Sequence, residues 1–141
     1  HAISRYLAAK HGRTDLYPAD LKQRAQVEAW MDWGETDLYQ GVRAPFLGIV
    51  VKMPAFQDQK LIEAGIAEWT RQMQMLDAYL SEHGPYLMGD SFTLADIPTG
   101  LIVNRWFSIP FDRPELKAVS AYYDRLAERP AYRQHGRNGT P

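Results

Sequence analysis

Six apolar residues, Ile62, Ile66, Trp69, Met73, Leu76 and Leu80, recur at intervals of 4, 3, 4, 3 and 4. Three and four bracket the turn of an α-helix, so this spacing keeps all six on one face. Gln59, Lys60, Glu63, Gln74 and Asp77 fall on the opposite face, and the segment reads as an amphipathic helix laid on a helical core. Gly84-Pro85 is expected to stop it, because proline lacks the ladder donor and glycine accepts the conformation that closes a helix. Nowhere do apolar and polar residues alternate over a useful length, as they would in a half-buried strand. The predicted fold class is therefore all-α, a bundle of five to six helices.

The rest of the chain follows the same rule. Ile3, Tyr6 and Leu7 share a face, so the first residues read as mid-helix; a helix without a visible start implies a preceding segment. Gly12 to Asp15 and Tyr17-Pro18 are turn material. A second long helix is expected from Ala19-Asp20, with Val27, Met31, Gly34, Leu38 and Val42 on its buried face. Pro45 should end or kink it, Phe46 to Met53 should continue beyond the kink, and Pro54 should end that. After Pro110 and Pro114, Leu116, Val119, Tyr123 and Leu126 form a last apolar face, with Pro130 as its breaker and a short basic tail after it.

A length of 141 residues fits one domain with a core of its own. The net charge of -1, from 16 basic and 17 acidic residues, offers no global field for nucleic acid or an anionic membrane. Arg129, Arg133 and Arg137 in the tail are too few to change that. The absence of cysteine excludes disulfides, thiolate chemistry and zinc-thiolate sites, and suits a reducing cytoplasm. His1, His11, His83 and His135 show no ligand spacing, so no metal is expected. Apolar runs such as Phe46 to Val51 are too short to span a bilayer, and the first residues lack the pattern of a signal peptide.

The stretch "DSFTLADIP", Asp90 to Pro98, poses a choice between a chemical carboxylate and a helix start. Thr93 followed by Asp96 is a capping box: the hydroxyl accepts from the amide of residue 96 and the carboxylate reaches back to the amide of Thr93. The carboxylate also sits at the positive end of the helix dipole. Phe92 and Ile97 take the staple positions, and the structural reading is preferred. The helix then continues through Leu101, Ile102 and Trp106.

These segments resemble a known family. "YLMGDS" (Tyr86 to Ser91) with "FTLADIPTG" (Phe92 to Gly100) looks like the capping-box segment of the glutathione transferase carboxy-terminal domain. "RLAERPAYR" (Arg125 to Arg133) resembles the end of that domain, and "RAQVEAWMDWGETDLYQGVR" (Arg24 to Arg43) its first long helix in bacterial theta-like members. "AISRYLAAKHG" (Ala2 to Gly12) is similar to the last helix of the thioredoxin-like domain that precedes it. The resemblance implies that residues 1–12 close a thioredoxin-like domain and that residues 13–141 form the all-helical domain. It implies a cytoplasmic, dimeric detoxification transferase that joins glutathione, its co-substrate, to a hydrophobic electrophile. The family's thiol-activating Ser, Tyr or Cys lies in the thioredoxin-like domain, so these residues alone are expected to be inactive.

The resemblance also implies site residues, each with a plainer alternative. Tyr39 matches a position directed at the glutathione sulfur, where its hydroxyl could donate; a tyrosine between core and solvent looks the same. Arg43, one turn on, would favour the thiolate or bind an acidic group on the electrophile, unless it is a solvated surface arginine. Glu35 and Thr36 match a region near the dimer axis, where a carboxylate can approach the glutathione amine; both also suit an exposed helix face. Trp33, Phe46 and Trp106 would line the electrophile pocket, or pack in the core. A rival function is open to the same fold, as a non-catalytic interaction module of translation factors and aminoacyl-tRNA synthetases that binds partner proteins.

Overall fold

In a computed structural model that describes residues 1–141, the regular elements are all helical, with isolated bridges at Tyr86–Gly89 and Met88–Ser91 in place of strands. The helices are α1 (Ala2–Lys10), α2 (Leu21–Trp33), α3 (Tyr39–Pro45), α4 (Gln59–His83), α5 (Asp96–Ser108), α6 (Lys117–Leu126) and α7 (Pro130–His135). α2 and α3 are joined by a π-helical turn, Gly34–Leu38, and form one rod, which makes six helical bodies.

The rod carries on past Pro45, as the expected continuation through Phe46 requires. The chain neither ends nor breaks there; it runs on as a second π-helical turn, Phe46–Val50, closed by the Val51 amide on the Phe46 carbonyl at 3.1 Å. The wider turn absorbs the missing proline donor without breaking the rod. Val27, Met31, Leu38 and Val42 are fully buried, as their spacing predicts. The rod approaches α4 through glycine. A Cβ on Gly41 would lie 2.5 Å from the Trp69 amide nitrogen, and one on Gly65 2.6 Å from Pro45 Cδ. Only hydrogen fits at either contact, which allows Trp69, Met73 and Leu76 to be fully enclosed.

α4 ends at Gly84, whose φ of +117° only glycine adopts freely. Asp77, expected on the solvent face of α4, instead accepts from the Val119 amide at 2.9 Å and caps α6 from another helix. The cap is needed because Leu116, at the N-cap of α6, has no side-chain acceptor. Leu116, Val119, Tyr123 and Leu126 are buried as predicted. Pro130 does more than end a helix: it opens α7 at a first-turn position, where its missing donor is harmless.

α1 contributes only Ala8 to the core. Its expected face, Ile3, Tyr6 and Leu7, is exposed, with Ile3 at 76%.

Candidate functional site

The capping segment differs in detail from the expected box. The Thr93 amide donates to Asp96 Oδ2 at 2.8 Å, but the Thr93 hydroxyl accepts from Ala95 at 3.3 Å rather than from residue 96. Asp96 Oδ1 also accepts from the Leu87 amide at 3.0 Å and the Tyr122 hydroxyl at 3.1 Å. One carboxylate therefore ties the α4–α5 loop, the start of α5 and the middle of α6. Burial pushes its carboxyl above the ordinary range, against the hydrogen bonds that favour the charged form. Phe92 and Ile97, the expected staple pair, border the same cavity. Phe92 packs edge-on to Tyr86 at 5.8 Å and lies under the Arg129 guanidinium at 3.7 Å, while Ile97 faces outward.

The expected site residues lie on two elements, the rod and α5. Tyr39, Arg43 and Phe46, spaced four and three apart, form one ridge along the rod. Tyr39 is 40% exposed. The exposed Arg43 guanidinium stands 5.3 Å from the Phe56 ring. Half-buried Phe46 meets a residue from α5: the Arg105 guanidinium lies 4.7 Å from its ring. α5 therefore runs beside the rod, with Thr99 opposite Gly34 and Arg105 opposite Phe46.

Glu35 is exposed, with the His1 imidazole 3.6 Å away. The Thr36 hydroxyl turns back on its own helix and donates to the Asp32 carbonyl at 2.8 Å. Trp33 faces α4 instead of the ridge. Its indole N–H donates to Gln72 at 3.1 Å; Gln72 donates to Glu68 at 2.8 Å, and Glu68 pairs with Arg71 at 2.7 Å. Trp33 shares a shallow depression of about 250 Å³ with Ala29, Trp30 and Met75.

Trp106 is a correction. It is fully buried against Trp69 and Phe111, each ring 5.2 Å away, so it is core and offers no surface to a pocket in this chain. The residue beside it, Arg105, is the one that reaches the ridge. It was not anticipated, although Ile97, Leu101 and Arg105 recur every four residues on the outer face of α5 and carry the signal. Ile97 and Leu101 are also exposed and border a cavity of about 370 Å³, shared with Leu16, Phe92, Arg129 and Tyr132. No group of three or more His, Asp or Glu is placed to hold a metal ion.

Comparison with known families and structures places this helical architecture. "Glutathione S-transferase, C-terminal domain" matches residues 42–130, and the chain belongs to that family. It is 32% identical to glutathione S-transferase GstB of Escherichia coli (strain K12), over 95% of this chain and 64% of that protein. The chain thus spans about two-thirds of that relative's length. Its fold matches the theta class glutathione S-transferase of Xanthomonas axonopodis pv. citri, solved with glutathione bound, at a TM-score of 0.86 and 38% identity, covering 96% of this chain and 70% of that one. It is also 27% identical to a probable elongation factor 1-gamma 1 of Arabidopsis thaliana, over 94% of this chain and 32% of that protein.

Proposed function

We propose that this chain is the carboxy-terminal part of a cytoplasmic, homodimeric glutathione transferase that adds the glutathione thiolate to a hydrophobic electrophile. Residues 1–12 close a thioredoxin-like domain, which binds most of the glutathione, and residues 13–141 shape the electrophile site. The observation that carries this reading is the ridge of Tyr39, Arg43 and Phe46, a phenol, a cation and an aromatic wall held in line at the surface of a rigid rod.

The chemistry gives each of them work. Free glutathione is mostly thiol at neutral pH, because an ordinary thiol titrates near 8.5. A donor or a positive charge beside the sulfur stabilises the thiolate, and Tyr39 and Arg43 supply one of each. Phe46 offers the apolar surface on which the electrophile rests. Glu35 faces the glutathione ammonium across the dimer axis, with Thr36 beside it. The exposed faces of α1 and α5, Ile3, Tyr6, Leu7, Ile97 and Leu101, are what the preceding domain covers.

The test is glutathione turnover by the protein in its natural full length, with 1-chloro-2,4-dinitrobenzene. Tyr39→Phe and Arg43→Ala should each lower kcat/KM by about tenfold, the value of one lost hydrogen bond to a charged group. Unchanged rates would remove both residues from the mechanism. The likeness to an elongation factor 1-gamma supports a second reading, a partner-binding module without catalysis. Absence of turnover with any electrophile would favour that reading.

A further inference from the structure

The ridge has a charge pattern of its own. Between Leu38 and Gln57 the chain has no acidic residue but carries Arg43 and Lys52, and between Ile97 and Phe111 it has none but carries Arg105. These two segments meet where Arg105 lies over Phe46. Two acid-free segments carrying Arg43, Lys52 and Arg105 thus meet on a chain whose net charge is -1.

Neither Arg43 nor Arg105 has a carboxylate partner. Arg5, Arg13, Arg71 and Arg137, by contrast, are each paired with Asp or Glu at 2.6 to 3.3 Å. Arg43 and Arg105 instead stack on Phe56 and Phe46. A guanidinium stacked on a ring keeps its in-plane N–H fork available for a planar acceptor. Arg43 lies one turn before Phe46 on the same helix face, with its guanidinium by Phe56 while Arg105 stands over Phe46. A flat apolar floor rimmed by two unneutralised forks suits an aromatic acid.

We propose that the electrophile taken at this site carries a carboxylate, held by Arg105 with help from Arg43, while its aromatic body lies on Phe46. This rests on the transferase reading and names its substrate class. With 4-chloro-3,5-dinitrobenzoate, the glutathione sulfur bonds to the chlorine-bearing ring carbon. The C–Cl bond breaks and chloride leaves with the electron pair. The thiol proton goes to solvent, and the carboxylate is unchanged.

The experiment compares this acid with its primary amide on the full-length protein, each kcat/KM divided by the uncatalysed rate with glutathione. The acid should be favoured by about tenfold or more, the size of one charge-assisted hydrogen bond, and the difference should lie in KM. Arg105→Gln should bring the ratio of acid to amide down by about tenfold, and Arg105→Lys, which keeps the charge without the fork, should restore part of it. Equal handling of acid and amide by the unaltered protein, or a ratio that Arg105→Gln leaves intact, overturns the substrate proposal while amide turnover preserves the transferase reading. If neither compound is turned over, both fall. Quenching of tryptophan fluorescence by the unreactive 3,5-dinitrobenzoate and 3,5-dinitrobenzamide gives a readout free of chemistry. Tighter binding of the acid, lost in Arg105→Gln, supports the proposal, and equal binding overturns it.

Discussion

The Asp96 carboxylate accepts from the amides of Thr93 and Leu87 and from the Tyr122 hydroxyl, all three donors being buried. Asp96→Ala leaves them unpaired, at about 1–3 kcal/mol for each, so the variant should lose several kcal/mol in urea unfolding. Asp96→Asn is a milder test, since one amide oxygen cannot serve all three donors; it should still cost about 1 kcal/mol or more. The raised carboxyl also sets a pH dependence. Because the folded group holds its proton above the ordinary value of 3.8, its contribution to stability is fully present below 3.8 and is lost as pH rises through the folded value. Melts between pH 3 and 7 should show this loss in the unaltered protein relative to Asp96→Asn.

At the scale of elements, two contacts made across the sequence determine how helices are placed. Asp77 on α4 caps α6 through the Val119 amide, so Asp77→Ala should lower stability by about 1 kcal/mol, read as a shift of the urea midpoint with an unchanged slope. Gly41 lets the rod close on Trp69 at 2.5 Å from where a Cβ would sit. Gly41→Ala removes that fit and should cost about 1–3 kcal/mol by overpacking, despite alanine's better helix propensity. A stabilised Gly41→Ala variant would show that the rod shifts freely on α4. Helix spans and buried faces were legible in the spacing, because burial on one side imposes the period directly. The π-helical form of the turn after Pro45 was not, because a wide turn that tolerates proline depends on what packs beside it.

For the whole molecule, Ile3, Tyr6, Leu7, Ile97 and Leu101 leave apolar surface on two helices. We predict that residues 1–141 expressed alone self-associate with rising concentration and salt, measured by sedimentation, and that Ile97→Lys with Leu101→Glu reduces this. A monomer at all concentrations would mean that these residues are too dispersed to form one sticking surface. Among the candidate site residues, Tyr39, Arg43 and Phe46 rest on the family resemblance, and only their sharing of one ridge follows from local spacing. Arg105 reaches Phe46 from α5, and its neighbour Trp106 turns inward, which local spacing in a mostly buried helix does not resolve.

The sequence by itself determined the all-helical class, the core faces of the long helices and the capping hydrogen bond between the Thr93 amide and Asp96, because each depends on residues within a few turns of one another. Only the tertiary structure decided that Asp77 is a cap, that Trp106 is core and that Arg105 stands over Phe46. Each of those is settled by a contact between distant segments, and periodicity within one helix carries no information about what a second helix brings to it.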